Sequence, residues 1–209
     1  MTAFLLKMVM AYLLGSISGS LSLGRLKKID IRQYGSGNAG GTNAFRTQGL
    51  AFAAAVAIID IGKGVLATGW IAQLDLYDVA PLQTAVPLPM ACGFAAVLGH
   101  CYPLWHGFRG GKGAATAVGA LIIIAPWLLI PVALTWLVVL TATGYVGLAT
   151  VLAGFSLVPA AWLTQNPAVL VFAVIIALFL LFTHRSNMRN LRNGTELRFE
   201  RARLFSHKP

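Results

Sequence analysis

The feature that most constrains the fold is a long stretch without charge, from Gly113 to His184. Its 72 residues include no Asp, Glu, Lys or Arg. A membrane-spanning helix needs roughly 20 predominantly apolar residues, so the stretch is long enough for several crossings. Over the whole chain, 57% of residues are hydrophobic and 11% are charged, whereas soluble domains average about 25% charged residues. The sequence therefore predicts an all-α polytopic membrane protein that forms a single domain over residues 1–209.

Basic residues give the predicted topology. Fourteen of the 16 Lys and Arg residues lie in three patches: Arg25 to Arg46, Arg109 with Lys112, and Arg185 to Lys208. Loops rich in Lys and Arg face the cytoplasm. If the second and third patches both face the cytoplasm, an even number of spans must join them. Two spans would each be far longer than the roughly 20 residues that a bilayer needs. The basic patches are not interleaved with aromatic residues in the manner of a nucleic-acid surface, so no nucleic-acid partner is predicted.

Four short spans fit the uncharged stretch because three helix-breaking segments divide it. These segments are 126–131, 143–147 and 164–167. Three further spans are predicted at 4–24, 49–72 and roughly 87–103. The segment between the last two of these, 73–86, contains Asp75 and Asp78 and no basic residue, which suits the outer side. About seven transmembrane helices follow, with the N-terminus outside and the C-terminus cytoplasmic; five spans with re-entrant segments are the alternative.

Three polar segments fall on the same predicted face of the membrane: 35–46, 99–116 and 184–196. In the second, the sequence Gly-Gly-Lys-Gly ends at Gly113, immediately before an apolar run. Backbone N–H groups of such a loop, the Lys112 ammonium and a helix N-terminus can hold an anion. The segment is not an ATP-binding P-loop, which would require glycine in place of His106 and Ser or Thr in place of Gly113.

The segment 35–46 is rich in glycine, asparagine and hydroxyl side chains, and it is a poor helix former. A flexible linker is one interpretation. A polar ligand site is favoured, because a linker does not need two asparagines, a threonine and an arginine so close together. In the third segment, His184 and Asn187 lie three residues apart at a helix end and are expected to face the same way.

Two charged residues interrupt the second predicted span. Asp60 and Lys63 are spaced i, i+3 on one helical face. Charges inside a membrane usually pair or line a polar cavity, and a structural ion pair is favoured over direct catalysis. Cys92 and Cys101 are predicted to be free thiols. The histidines show no spacing typical of a metal site, so no metal and no cofactor are predicted.

The three polar segments closely resemble the motifs of the bacterial acyl-phosphate-dependent glycerol-3-phosphate acyltransferases (PlsY). The resemblance rests on Gly35 to Asn43, on Gly99 to Thr116 and on His184 to Glu196, with Asp60, Lys63 and Gly64 between them. Order, spacing and chain length all agree. Three departures stand out: Gly41 replaces the usual alanine, Ser18-Gly19 replaces a common Pro-Phe, and Asn190 replaces a frequent arginine.

The resemblance implies transfer of a fatty acyl group from acyl phosphate to the 1-hydroxyl of glycerol 3-phosphate. The products would be lysophosphatidic acid and phosphate, in the first step of phospholipid synthesis. It also implies a multi-pass protein of the bacterial cytoplasmic (inner) membrane with its active site near the cytoplasmic face. A soluble phosphate acyltransferase (PlsX) would be the partner that supplies the donor.

Site residues follow from the same motifs. Those expected to be catalytic are Ser36, Arg46, Lys112, His184 and Asn187. Those expected to bind substrate are Gly37, Asn38, Thr42, Asn43, His100, Gly110, Gly111, Gly113 and Thr116. Asp60, Lys63 and Glu196 are expected to be structural. Lys112 and the amides of the three glycines would hold one phosphate, and Arg46 would contribute to the phosphate of glycerol 3-phosphate.

Two questions stay open at the level of sequence. The hydroxyl proton is taken either by a histidine, His184 or His100, or by a phosphate oxygen of a substrate, since acyl phosphate does not need a strong base. The alternative function is a transporter or exchanger of phosphorylated metabolites, because such proteins also bind anions at helix N-termini.

Overall fold

The computed structural model describes residues 2–76 and 87–199, and in those ranges it contains helices and no strands. The chain divides into two compact units, Met1–Pro126 and Trp127–Pro209. The helices of the first unit are α1 Thr2–Gly15, α2 Gly19–Leu26, α3 Gly41–Gln48, α4 Leu50–Val65, α5 Leu88–Cys101 and α6 Ala114–Ile124. Those of the second are α7 Leu129–Thr143, α8 Val146–Trp162, α9 Pro167–Thr183 and α10 Arg185–Arg192.

Glycines set the close helix pairs of the first unit. A Cβ added to Gly15 would overlap the backbone of Ala96, and one added to Gly99 would overlap the carbonyl oxygen of Tyr12. These contacts bring α1 against α5. Gly64 and Gly119 do the same for α4 and α6, since a Cβ on either would overlap backbone of the other helix. Small residues thus let the helix backbones approach closely.

The first predicted span, 4–24, is not one continuous helix. It is broken at residues 16–18, and α1 and α2 meet at an angle of 45°. No proline causes the break. The polar side chains on either side of it, Ser16, Ser18 and Ser20, are fully buried.

The second predicted span corresponds to α4 and its continuation. Beyond Val65 the helix widens to a π-turn at Leu66–Trp70 and then tightens to a 3₁₀ turn at Ile71–Gln73. Together they form a predominantly apolar segment of 24 residues, Leu50–Gln73, which is long enough to cross a membrane. The Lys7 ammonium donates to the carbonyl oxygen of Ala72 at 3.0 Å, which ties α1 to the end of this span.

The helix breaks predicted at 143–147 and 164–167 are confirmed, whereas the break predicted at 126–131 lies at Ala125, because residues 126–131 are already helical. α6 ends at Ile124 before Pro126, α7 ends at Thr143 before Gly144, and α8 and α9 are separated by residues 163–166. Gly144 has a φ of 77°, which favours glycine at this C-cap. The last predicted span also ends as expected, because α9 stops at Thr183 and α10 turns away by 54°.

By length and composition, two helices in the described ranges can cross a membrane, and up to four if each bent pair is one span. The two are Leu50–Gln73 and Pro126–Thr143. The count of seven and the orientation of the termini stay predictions. Asp78 of the predicted outer segment and the basic tail after Phe199 lie outside the described residues.

Substitution of Gly99 by alanine should destabilise the first unit, because a methyl group there would overlap the Tyr12 carbonyl oxygen of α1. Overpacking of this kind costs about 1–3 kcal/mol, which should lower the melting temperature of the purified protein in detergent. Gly62→Ala is the matched control. No atom lies within 4 Å of a Cβ at Gly62, so that variant should melt at the same temperature or higher. Equal melting temperatures for the two variants would contradict the close packing.

Candidate functional site

Asn43 organises the first polar segment. Its side chain is 1% exposed. The amide nitrogen donates to the carbonyl oxygens of Ile31 (3.1 Å) and Tyr34 (3.0 Å), and the amide oxygen accepts from the Ser36 N–H (2.9 Å). Both of its N–H donors are thus used to fold the loop, and the predicted substrate contact of Asn43 stays a prediction.

The other predicted residues of this segment lie around that scaffold. Ser36 and Gly37 are exposed, whereas Asn38, Thr42 and Arg46 are half-buried. Thr42 lies in the first turn of α3, and Arg46 lies in its last turn. The first four N–H groups of a helix have no intrahelical partner, so the start of α3 presents backbone donors. The glycine that replaces alanine at 41 has no atom within 4 Å of a Cβ position, and alanine would fit there equally well.

The glycine-rich loop before α6 is closed by its own backbone. The amides of Gly110 and Gly111 donate to the carbonyl oxygens of Cys101 and His100, each at 3.1 Å. Both amides thus have backbone acceptors in this conformation, and the prediction that they hold a phosphate stays a prediction. Glycine is required at 110 for packing, because a Cβ would overlap the His100 carbonyl oxygen.

The start of α6 also presents backbone N–H donors, because the first N–H groups of a helix have no intrahelical partner. Gly113 is the N-cap, is buried and has a φ of 90°. Lys112, which is half-buried, comes immediately before it. Thr116 lies in the first turn, is 0% exposed, and its Oγ1 has no hydrogen-bond partner among the described residues. A buried hydroxyl without a partner is costly, which is consistent with a polar ligand or water at this end of α6.

A charged pair that was not predicted connects the 3₁₀ turn Ile31–Gln33, just before the segment 35–46, to the glycine-rich loop. The Asp30 carboxylate holds the Arg32 guanidinium at 2.7 Å. Arg32 Nη1 in turn donates to the carbonyl oxygens of Arg109 (3.0 Å) and His106 (3.2 Å). The hydrogen bond from Arg32 lowers the pKa of Asp30, and the carboxylate raises the pKa of Arg32. The sequence did not point to this pair, because Arg32 belongs to a basic patch that the membrane topology alone explains.

The two loops meet at Gly111. A Cβ on this residue would overlap His100 Nε2 and lie 2.8 Å from the Ala39 carbonyl oxygen. Ala39 precedes Gly40, the N-cap of α3, and Gly111 lies two residues before the N-cap of α6. The contact therefore brings the starts of the two helices close together, with the His100 ring beside them.

A buried ion pair holds the other side of the His100 ring. Lys63 Nζ lies 3.0 Å from Asp60 Oδ1, and the two side chains are 2% and 1% exposed. The predicted structural ion pair is therefore present. Lys63 Nζ also lies 2.9 Å from His100 Nδ1, which is 3.4 Å from Asp60 Oδ1. His100 thus connects the pair to the glycine-rich loop.

In the second unit, His184 occupies the bend between α9 and α10. It is 6% exposed, and its Nδ1 lies 2.8 Å from the Leu180 carbonyl oxygen. Because a carbonyl oxygen only accepts, Nδ1 carries the proton, and in the neutral ring Nε2 is the acceptor nitrogen.

Asn187 and Glu196 are brought together as a pair. The Asn187 amide nitrogen donates to Glu196 Oε1, so the predicted structural role of Glu196 has a partner. The Asn187 side chain also packs on Gly147, where a Cβ would lie 2.7 Å away. Two contacts that the sequence did not reveal fasten the following residues: Arg198 Nε donates to the Tyr145 hydroxyl at 2.7 Å, and the Phe199 N–H donates to the Gly144 carbonyl oxygen at 2.8 Å.

The structure thus brings together the predicted residues of 35–46 and 99–116 within the first unit, and those of 184–196 within the second. Convergence of all three segments stays a prediction. Cys92 and Cys101 are free thiols, as expected.

The Asp30–Arg32 pair gives a pH-dependent prediction. The pKa of Asp30 is lowered on folding, so its contribution is complete at neutral pH and is lost only as pH falls below about 4, through the lowered value. Asp30→Asn at pH 7 should therefore free Arg32 and speed amide hydrogen exchange in the 104–113 peptide, as measured by mass spectrometry. Asp75→Asn, which removes an exposed carboxylate, is the control. Unchanged exchange in Asp30→Asn would show that Arg32 does not hold the loop.

Comparison with known proteins shows the family of this chain. The sequence model of the family described as "Glycerol-3-phosphate acyltransferase" matches residues 5–194. The proteins named glycerol-3-phosphate acyltransferase from Chlorobaculum parvum and Bacillus subtilis are 38% and 37% identical to this chain. The alignments cover 95% and 91% of this chain, and 97% and 95% of those proteins.

Two solved structures of PlsY (YgiH), an integral membrane glycerol 3-phosphate acyltransferase, are similar over nearly the whole chain. The glycerol 3-phosphate form has a TM-score of 0.82 at 33% identity and covers 94% of this chain and 95% of its own. The lysophosphatidic acid form has a TM-score of 0.81 at 31% identity, with coverages of 97% and 99%. The chain therefore belongs to the glycerol-3-phosphate acyltransferase family and has the fold of an integral membrane member of it.

Proposed function

We propose that this protein transfers a fatty acyl group from acyl phosphate to the 1-hydroxyl of glycerol 3-phosphate. The products are lysophosphatidic acid and inorganic phosphate, in the first step of phospholipid synthesis. The observation that carries the proposal is the contact at Gly111, which places the starts of α3 and α6 side by side. Two helix starts next to each other suit two substrates that each carry a phosphate.

A cation lies on or near each of these helices. Lys112 comes just before Gly113, the N-cap of α6, and Arg46 lies in the last turn of the short helix α3. A helix N-terminus carries roughly half a positive charge, and a nearby cation adds a full one. The related PlsY structures in glycerol 3-phosphate and lysophosphatidic acid forms support a substrate and a product of this chemistry.

The chemistry asks little of the protein beyond positioning and charge neutralisation. The 1-hydroxyl oxygen of glycerol 3-phosphate attacks the acyl carbonyl carbon, the C–O bond to phosphate breaks, and phosphate leaves. A phosphate oxygen takes the hydroxyl proton, so that no strong base is required. The reaction needs no redox step, and we assign no cofactor or metal to it.

The proposed roles of the side chains follow their positions. Lys112, Gly113 and Thr116 at the start of α6 hold one phosphate, and Arg46 binds the phosphate of glycerol 3-phosphate. Ser36, Gly37, Asn38 and Thr42 complete the polar wall of the first loop. Asn43, Gly110 and Gly111 act indirectly, because they shape the two loops. His184 and Asn187 orient the acceptor or the acyl carbonyl.

We place the reaction near the cytoplasmic face of the bacterial inner membrane, in a chain of seven spans with its N-terminus outside. A soluble phosphate acyltransferase (PlsX) is the proposed source of acyl phosphate. The basic residues of the first two loops support this orientation.

Purified protein in detergent should convert labelled glycerol 3-phosphate and synthetic palmitoyl phosphate to lysophosphatidic acid. Lys112→Ala should lower kcat/KM at least 100-fold, since loss of a charged group from a phosphate costs about 3 kcal/mol or more. Lys28→Asn is the matched control. It also removes one positive charge, and asparagine tolerates the left-handed backbone of Lys28, whose φ is 58°.

The same assay separates an enzyme from a transporter, because detergent leaves no second compartment. Absence of product with the wild-type protein would contradict the proposed reaction. Full activity of Lys112→Ala would instead leave the reaction standing and remove the proposed phosphate contact.

Cysteine labelling in intact cells tests the orientation. A membrane-impermeant maleimide should label Asp75→Cys and Leu163→Cys from outside, and Gln33→Cys and Asn190→Cys only after permeabilisation. All four positions are exposed. The native Cys92 and Cys101 are buried, so the wild-type protein serves as the unlabelled control. Labelling of Leu163→Cys only after permeabilisation would contradict seven spans.

A further inference from the structure

Lys63 uses all three of its ammonium protons inside the first unit. Its Nζ lies 2.8 Å from the Ile17 carbonyl oxygen, 3.0 Å from Asp60 Oδ1 and 2.9 Å from His100 Nδ1. The side chain is 3% exposed, so water does not compete for these positions. Each of the three N–H donors of the ammonium group thus has an acceptor.

This geometry fixes the proton on the imidazole of His100. An ammonium group has three N–H donors and no acceptor, so His100 Nδ1 must accept the hydrogen bond from Lys63. A neutral ring that accepts at Nδ1 carries its proton on Nε2. Asp60 Oδ1 accepts from Lys63 and from the Gly19 N–H at 3.1 Å, and it lies farther from His100 Nδ1 (3.4 Å) than Lys63 Nζ does (2.9 Å).

The Nε2–H of His100 faces the meeting point of the two loops. A Cβ on Gly111 would overlap this nitrogen and lie close to the Ala39 carbonyl oxygen. Glycine at 111 therefore keeps the space in front of Nε2 clear of a side chain. The ring presents a donor to the place where the starts of α3 and α6 meet, and its lone pair faces Lys63.

We infer that Lys63 and Asp60 are positioning residues, which hold His100 as a fixed Nε2–H donor to an oxygen of the phosphorylated substrate bound at the two helix starts. The inference rests on the proposed function for the identity of that substrate. It assigns His100 to binding and excludes it as the base, and it gives the buried pair a role beyond helix packing.

Nitrogen NMR of the protein labelled with ¹⁵N-histidine tests the tautomer without any activity. The His100 signals are assigned by their loss in His100→Gln. The wild-type protein should show the proton on Nε2 and a lone pair on Nδ1, and Asp60→Asn/Lys63→Met, a neutral pair of similar shape, should lose this preference. A proton on Nδ1 in the wild-type protein would overturn the inference.

Kinetics test the donor role. His100→Gln keeps an N–H near the position of Nε2, whereas His100→Leu does not. A hydrogen bond to a charged substrate is worth about 1.5–3 kcal/mol, so His100→Leu should raise the KM for one phosphorylated substrate roughly 10- to 100-fold and leave kcat and its pH profile nearly unchanged. His100→Gln should stay close to the wild-type values. The combined variant Asp60→Asn/Lys63→Met should raise the same KM and add little when combined with His100→Leu.

The possible outcomes distinguish a wrong role for His100 from a wrong proposed function. Loss of kcat with loss of the acidic limb of its pH profile in both His100 variants would show a base and overturn the inference. Equal impairment of His100→Gln and His100→Leu would overturn it as well. No acyl transfer by the wild-type protein would overturn the proposed function, while the NMR result would still decide the tautomer. If the neutral pair does not fold, the wild-type spectrum and the two His100 variants decide.

Discussion

The buried pair of Asp60 and Lys63 is the interaction on which the first unit depends. In an apolar bundle, backbone groups released by a helix break need a partner, since lipid supplies none. The break between α1 and α2 leaves the Ile17 carbonyl oxygen and the Gly19 N–H without helical partners. Lys63 donates to the former and Asp60 accepts from the latter. The two charged side chains thus pair with each other and also hydrogen-bond the backbone groups on the two sides of the break. This explains how the chain bends here without a proline.

Close helix pairs then carry this order to the two loops. The glycines at the α1–α5 and α4–α6 contacts let the backbones approach with no side chain between them. As a result His100, in the last turn of α5, reaches Lys63 of α4 and the loop that precedes α6. The loop is closed on α5 by the amides of Gly110 and Gly111. Arg32, in the 3₁₀ turn just before the polar segment 35–46, donates to carbonyl oxygens of the same loop. Packed helix backbones and a chain of hydrogen bonds thus fix the glycine-rich loop relative to the buried Asp60–Lys63 pair.

Much of this could be predicted from the sequence, for identifiable reasons. Proline and glycine mark the breaks of the second half because they change local backbone preferences. The i, i+3 spacing of Asp60 and Lys63 indicated a structural pair because helix geometry alone brings them together. The break at 16–18 was missed, because its partners lie more than 40 residues away in sequence. The hydrogen bonds of Asn43 within its own loop could not be foreseen, because an amide that cradles a ligand and one that folds its own loop have the same sequence pattern.

The backbone hydrogen bonds of the glycine-rich loop bear on how the proposed phosphates would be bound. In a P-loop, amides of the loop itself surround the phosphate, but here two of these amides hold the end of α5. The available N–H groups are those of the two helix starts, and they are fixed by the fold. The proposed reaction brings two phosphates together, and two unit charges about 4 Å apart repel by about 4 kcal/mol at an effective dielectric constant near 20. Two helix starts with Lys112 and Arg46 supply positive charge of the size needed to offset that repulsion. Acyl phosphate carries its own leaving group and a proton acceptor, so once the repulsion is offset, the main task left to the protein is alignment.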